Sequence, residues 1–285
     1  MEALESKLIT PTLHVEVQIS GSTALSSDQR TALRNETLTW LCGNYVTLQL
    51  GSLKPGHGLH KHVQAVDVIG FTGPRSVTGC YDLASVALDL QIYSLRGVPQ
   101  RSGKRSLKQH GEEIPQAREI ALPNVALKGE WDSLVFDDAL PSQILRYLVR
   151  MMGMMSQAGL NAATFNWNRL CLLHGPPGSG KSTLCRALAQ KLSIRLGGSY
   201  LNGTLVEVNA NAMLSKYFGE SGKLIESTFE KVRAVAQDER KLVVVVIDEV
   251  ETIAGSRQRA SNSGECNDGL RVSRSSARPI HLALE

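Results

Sequence analysis

Apolar and polar residues alternate over "TLHVEVQI" near the start of the chain, with Leu13, Val15, Val17 and Ile19 separated by polar partners. A period of two sends successive side chains to opposite faces, so the stretch predicts a half-buried strand. The pattern then changes. Ser27 to Cys42 opens on Ser and Asp, which cap helix starts, and carries Leu33, Leu38 and Leu41 as an apolar stripe, predicting a helix. Alternation returns in "LASVALDLQI" through Ala84, Val86, Leu88, Leu90 and Ile92. Residues 1–95 are therefore expected to form a small α+β domain.

From Ser94 to Arg118 the chain turns polar, and "RSGKRSLK" groups Arg101, Lys104, Arg105 and Lys108 without an acid. Residues 96–128 are read as a linker. Their basic cluster suits a nuclear-import signal or a phosphate patch, although a solvated flexible segment explains it with fewer assumptions. Beyond it, Leu and Met at helical spacing predict a helix from about Asp138 to Ser156, its methionines filling core. Strands and helices then alternate: strand Arg169 to His174, helix Lys181 to Ser193, strand Thr204 to Asn209, helices between Ala212 and Gln237, strand Leu242 to Ile247. This order predicts a parallel α/β sheet. No repeat of fixed period is present.

Composition narrows the function classes. The longest clean apolar run, Leu242 to Ile247, is far short of the roughly 20 residues that cross a bilayer, so no membrane partner is expected. "MEALESKLIT" has two glutamates and no long apolar core, unlike a secretory signal, which points to a protein kept inside the cell. Five scattered cysteines with no CxxC pair fit reduced thiols. A net charge of +4 over 285 residues gives no ground for direct nucleic-acid binding.

The chemistry concentrates in "GPPGSGKS", which fits G-x-x-x-x-G-K-[ST] through Gly175, Gly180, Lys181 and Ser182. A glycine-rich turn lets backbone N–H groups close on phosphate oxygens, and the following helix offers its positive end to the same anion. The expected nucleotide site comprises Gly175, Pro176, Pro177, Gly178, Ser179, Gly180, Lys181, Ser182 and Thr183. Lys181 is expected to reach the β and γ phosphates of ATP, and the Ser182 hydroxyl to hold Mg²⁺. Downstream, "LVVVVIDE" is a β-branched strand ending in two carboxylates. Asp248 is the expected second Mg²⁺ group, and Glu249 the group that polarises the attacking water.

Two further clusters are less specific. Tyr217 and Phe218 precede Gly219 in "LSKYFGESGKL"; such rings can grip a polypeptide, because they contact many side chains without demanding one sequence, but spacing alone fits core packing equally. His57, His60 and His62 have a spacing zinc can use, yet the segment is glycine-rich and lacks cysteine, so a solvated loop is preferred.

"HGPPGSGKSTLCRALAQKL", "SKYFGESGKL" and "VVVVIDEVE", with "GEWDSLVFD" and "PTLHVEVQI", together resemble the pachytene checkpoint protein 2 / thyroid receptor-interacting protein 13 family of AAA+ ATPases. The resemblance runs to about Arg271. It implies a P-loop NTPase large subdomain behind a substrate- and adaptor-recognition domain. It also implies a hexameric ring that hydrolyses ATP to remodel HORMA-domain proteins in meiotic chromosome-axis and checkpoint control. A nuclear, chromosome-associated location with a cytoplasmic pool follows from the same likeness. Tyr217 and Phe218 match the family's first pore loop, and residues 260–271 would lie near the second.

The resemblance also sets a test. It implies a sheet ordered 5-1-4-3-2, in which strand 4 separates the P-loop strand from the Asp248 strand and supplies a polar sensor. Residues 129–271 account for three of those strands, and "SRSSARPIHLALE" within 272–285 does not match the rest. The expectation is an incomplete, C-terminally truncated AAA+ domain whose P-loop strand lacks neighbours, unless the alternation of Ile280, Leu282 and Leu284 makes a replacement strand. Two other function classes remain: a non-catalytic module that recruits HORMA proteins or adaptors, and a small-molecule kinase, which the Asp248–Glu249 pair disfavours.

Overall fold

The computed structural model describes residues 11–21, 26–56, 59, 61–73, 76, 78–97, 117–136, 139–155, 170–210, 221–238, 240–250 and 280–284. The chain divides into two compact units, Met1–Leu95 and Arg96–Glu285.

The first unit is built on β1 (Thr12–Ile19), the alternating strand read from the sequence. It is followed by helix α1 (Ser27–Asn44), short strands β2 (Thr47–Gln49) and β3 (Gly51–Leu53), β4 (Val63–Thr72), β5 (Cys80–Asp82) and β6 (Ala87–Ser94). The sheet runs β3-β4-β1-β6, with β1 antiparallel to β4 and parallel to β6, while β2 and β5 form a separate pair. A capping box starts α1: Ser26 Oγ accepts from the Gln29 N–H, and Gln29 Oε1 accepts from the Ser26 N–H. Leu33, Trp40 and Leu41 of the helix join Leu13, Val15, Val17, Ile19, Val66, Val68, Leu90 and Ile92 in one core. Of the intervening β1 positions, His14 and Gln18 carry side-chain hydrogen bonds. The His14 ring lies 2.9 Å from Asp89 Oδ2 through Nδ1 and 2.9 Å from Thr72 Oγ1 through Nε2, joining β1 to both neighbours.

The second unit contains β7 (Ala117–Leu122), a 3-10 turn at Val125–Leu127, α2 (Leu140–Met155), β8 (Leu170–Leu173), α3 (Lys181–Arg195), β9 (Asn202–Asn209), α4 (Ser221–Val235), β10 (Lys241–Asp248) and β11 (Ile280–Leu284). The sheet order is β7-β9-β10-β11-β8. β9, β10, β11 and β8 are parallel, whereas β7 runs antiparallel on β9. Apolar residues from both faces of β10 are buried. Leu242, Val244 and Val246 join the core under α3 with Leu188, Leu192 and Leu205; Val243, Val245 and Ile247 join Val206, Val208 and Val232 on the α4 side.

Two expectations need correction. Residues 96–128 are not linker throughout, because β7 is a strand of the α/β sheet. Arg96 is also stitched into that unit: its N–H donates to Pro123 O at 2.8 Å, its carbonyl accepts from Val125 N at 3.0 Å, and its Nη2 donates to Asn202 Oδ1 at 2.6 Å. The second correction concerns the P-loop strand, which has a neighbour. β11 fills the place between β10 and β8, with Ile280 opposite Val244 and Leu282 opposite Val246 and Cys171. Leu282 is fully buried there, so the alternation of "IHLAL" builds a central strand that satisfies the backbone groups of both neighbours.

The turn after β7 is pinned by a side chain that imitates a strand. Gln190 of α3 accepts from the Asn124 N–H at 2.9 Å and donates to the Asn124 carbonyl at 3.0 Å. Asn124 in turn caps the Ala126 N–H at 2.9 Å. These buried groups are fully paired, as the cost of an unmet buried amide requires.

Candidate nucleotide-binding site

β8 ends at Leu173, and residues 174–180 turn back into α3. Gly178 and Gly180 adopt φ of +76° and +83°, the left-handed region that glycine enters without a side-chain clash. Gly180 is the N-cap of α3, and its carbonyl accepts the first helical bond from Leu184 N at 2.8 Å. The turn leaves the N-terminal end of α3 open to an anion. Leu134 covers it from one side, its Cδ2 3.6 Å from where a Gly180 Cβ would stand.

Lys181 Nζ donates to the carbonyls of Gly175 at 2.6 Å and Pro176 at 3.0 Å, which folds the ammonium back over the loop. Next to it, Ser182 Oγ donates to Asp248 Oδ2 at 3.3 Å. That contact joins the sequence's two candidate metal groups across the 66 positions between them. Asp248 and Glu249 are exposed at the end of β10. Glu249 has φ +57°, an uncommon conformation for a residue with a side chain, and its N–H donates to Asp248 Oδ1 at 3.1 Å. A hydroxyl and a carboxylate oxygen at this spacing suit a hard, oxygen-seeking cation such as Mg²⁺. Ser182 and Asp248 would hold the ion, which would neutralise phosphate charge.

Below this pair lies a charged layer the sequence reading missed. Glu207 on β9 shares the α3-facing side of the sheet with Leu205, opposite Val246 in register. Arg186, one helical turn beyond Ser182, donates from Nε to Glu207 Oε1 at 2.7 Å. Arg118 Nη1 lies 3.8 Å from Glu207 Oε2. Desolvation works to lower the Arg186 pKa, but the Glu207 hydrogen bond and the charges of Glu207, Glu130 and Asp248 outweigh it and raise the value. Glu130 is pushed up, chiefly by burial, against the pull of Arg186 and with the help of Glu207. The only sequence signal for this layer was the four-residue offset from Ser182 to Arg186, which places both on one helix face.

Tyr217 and Phe218 lie outside the described residues, as do His57 and His60. His62 Nδ1 sits 3.3 Å from Ser20 Oγ. Cys185, fully buried behind the P-loop, has its thiol pushed far up by burial, which removes it as a nucleophile.

A parallel sheet, a glycine turn feeding a helix, and an acid-tipped strand whose carboxylate meets the P-loop serine define a P-loop ATPase domain of the AAA class. The family model "ATPase family associated with various cellular activities (AAA)" matches residues 171–272, and "TRIP13 N-terminal domain" matches residues 8–97. The chain is 35% identical to the pachytene checkpoint protein 2 homolog of Mus musculus over 276 residues, covering 95% of this chain and 62% of that one. The Homo sapiens homolog is 34% identical with the same coverage. The solved structure of C. elegans PCH-2 superimposes with a TM-score of 0.67 at 26% identity, over 96% of this chain and 67% of that chain. The chain belongs to the TRIP13/PCH2 family. It spans 62% of the length of these mouse and human relatives.

Proposed function

We propose that this chain binds Mg–ATP at Gly175–Thr183 and carries out, or takes part in, ATP-driven remodelling of HORMA-domain proteins. The observation that carries the nucleotide part is the Ser182–Asp248 contact at 3.3 Å beside Lys181. Lys181 would leave the Gly175 and Pro176 carbonyls for the β and γ phosphates, the Ser182–Asp248 pair would hold Mg²⁺, and Glu249 would orient the attacking water. The substrate class, an adaptor, self-association as a hexameric ring and gripping by Tyr217 and Phe218 rest on family membership. A nuclear, chromosome-associated role in meiosis, with a cytoplasmic pool, has the same support.

The experiment is steady-state ATP hydrolysis by this chain with Mg²⁺, beside Glu249→Gln and Lys181→Ala. A working site predicts that Glu249→Gln lowers the rate by roughly a hundredfold or more while nucleotide still binds, since only the water-activating group is lost. Lys181→Ala should weaken binding itself.

A second reading is a HORMA- or adaptor-recruiting module that binds nucleotide without turning it over. It is favoured by β11, which occupies the place of the strand expected to bring a polar sensor. Its polar residue, His281, pairs with Val245, three positions before Asp248. Equal background rates in the parent and Glu249→Gln, with Mg–ADP still bound, would select this reading.

A further inference from the structure

The charged layer under the P-loop has no part in the chemistry described so far, yet its placement bears on how the metal arrives. Arg186 follows Ser182 by one turn of α3, about 6 Å along one helix face. Its partner Glu207 is in register with Val246, two residues and about 7 Å along the strand from Asp248. Glu207, Val246 and Asp248 lie on the side of the sheet that faces α3, so the guanidinium held by Glu207 stands on the same side as the hydroxyl and carboxylate that converge at 3.3 Å, close enough to feel the Asp248 charge.

The geometry points to Arg186 as an electrostatic positioning residue that makes the metal site dependent on nucleotide, discouraging a bare divalent cation and admitting one that comes with phosphate. This rests on the P-loop reading above. Without nucleotide, Asp248, Glu249, Glu207 and Glu130 form an acidic neighbourhood that would attract a bare cation. A fixed positive charge within about 7 Å opposes a doubly charged ion by an amount that translates to roughly tenfold in affinity at a partly solvated site. The same charge favours Mg–ATP, whose net charge is negative. Glu207 fixes the guanidinium through Nε and partly offsets it; Arg118, near the other Glu207 oxygen, adds a weaker positive contribution.

Charge and scaffolding make opposite forecasts. If Arg186 acts through its charge, Arg186→Met tightens nucleotide-free Mn²⁺ binding about tenfold and Arg186→Lys stays within about twofold of the parent. Glu207→Gln, which removes the offsetting acid, weakens Mn²⁺ binding several-fold. If the ion pair is only a brace between α3 and β9, both Arg186→Met and Glu207→Gln loosen the site and move Mn²⁺ affinity in the same direction. The measurement is electron paramagnetic resonance of free Mn²⁺ titrated against each full-length variant, with circular dichroism to verify folding. Opposite shifts support the inference. Shifts in the same direction, no difference between variants, or no measurable Mn²⁺ binding by Arg186→Met would overturn it. A parallel titration with Mg²⁺ and a fluorescent ADP analogue tests the P-loop reading by itself, because failure of the parent to bind the analogue defeats that reading whatever the Mn²⁺ series shows.

Discussion

β1 and β10 are eight-residue strands at the interior of their sheets, and they solve the same problem differently. β1 divides its residues by polarity rather than burial: Leu13, Val15, Val17 and Ile19 enter the core under α1, while the alternate positions are polar, with Glu16 and Gln18 buried and His14 and Gln18 hydrogen-bonded to groups on adjacent parts of the unit. β10 spends six consecutive residues, Leu242 to Ile247, on burial against helices on two sides, and reserves polarity for its tip. The difference teaches where chemistry can sit. A strand covered on both faces has no lateral surface for a ligand, so its functional groups are at the carboxyl end, where Asp248 meets the P-loop.

The comparison is most exposed to a parity test. Asparagine at Val244 or at Val245 should each cost about 3–4 kcal/mol, because both faces of β10 bury an unpaired amide. On β4, asparagine at Val66 should cost as much, while Ala65→Asn, on the face shared with Gln18, should cost under about 1 kcal/mol. Trp40 and Trp131 report the two units separately, so urea unfolding followed by fluorescence in single-tryptophan backgrounds, with Trp167 replaced, reads each cost in place. A mild Val245→Asn would abolish the contrast.

A smaller effect sharpens it. Leu282→Ala empties a fully buried site in the middle of the second sheet and should cost about 2–4 kcal/mol in the transition reported by Trp131, leaving that of Trp40 unmoved. Loss of less than about 1 kcal/mol would mean that β11 contributes little to the core. The smallest effect is at the sheet edge. Burial raises the Glu119 pKa, with Lys241 partly opposing it. The folded state therefore holds this proton more tightly than the unfolded chain, and stability falls as pH rises from the ordinary carboxylate value through the raised one. Glu119→Gln should be indistinguishable below that window and slightly more stable above it, which a pH series of urea midpoints would detect.

What the sequence disclosed depended on how local the signal was. The β1 alternation, the glycine turn and the apolar run of β10 are complete within a few residues each, and so were legible. β7 was hidden in polar surroundings because "AREIAL" is an edge strand that leaves Arg118 exposed and Glu119 half-buried. β4 carried Gln64 and Asp67 among its apolar residues, and was not singled out. At the site, the motif alone predicted that Ser182 and Asp248 would meet. The Arg186–Glu207–Glu130 layer could not be read, because it joins a helix, a strand and a turn whose adjacency exists only after folding. The alternation of Ile280, Leu282 and Leu284 suggested a replacement strand beside the P-loop strand, and β11 takes that place between β10 and β8.

That insertion has a consequence for how the chain is made. β11 is synthesised after every other described strand of its sheet, yet it separates two of them, and His281 pairs with Leu170 across 111 positions (281 − 170). The first unit has all its described strands once Ser94 has emerged. The second must wait, with the facing edges of β8 and β10 open while residues 249–279 are added. Long-range pairing of this kind is slow to form and leaves backbone groups available to foreign strands in the interval. Vectorial synthesis thus gives the nascent chain a finished first unit early and a vulnerable α/β sheet last, so a chaperone acting during translation would have most to protect at those two edges.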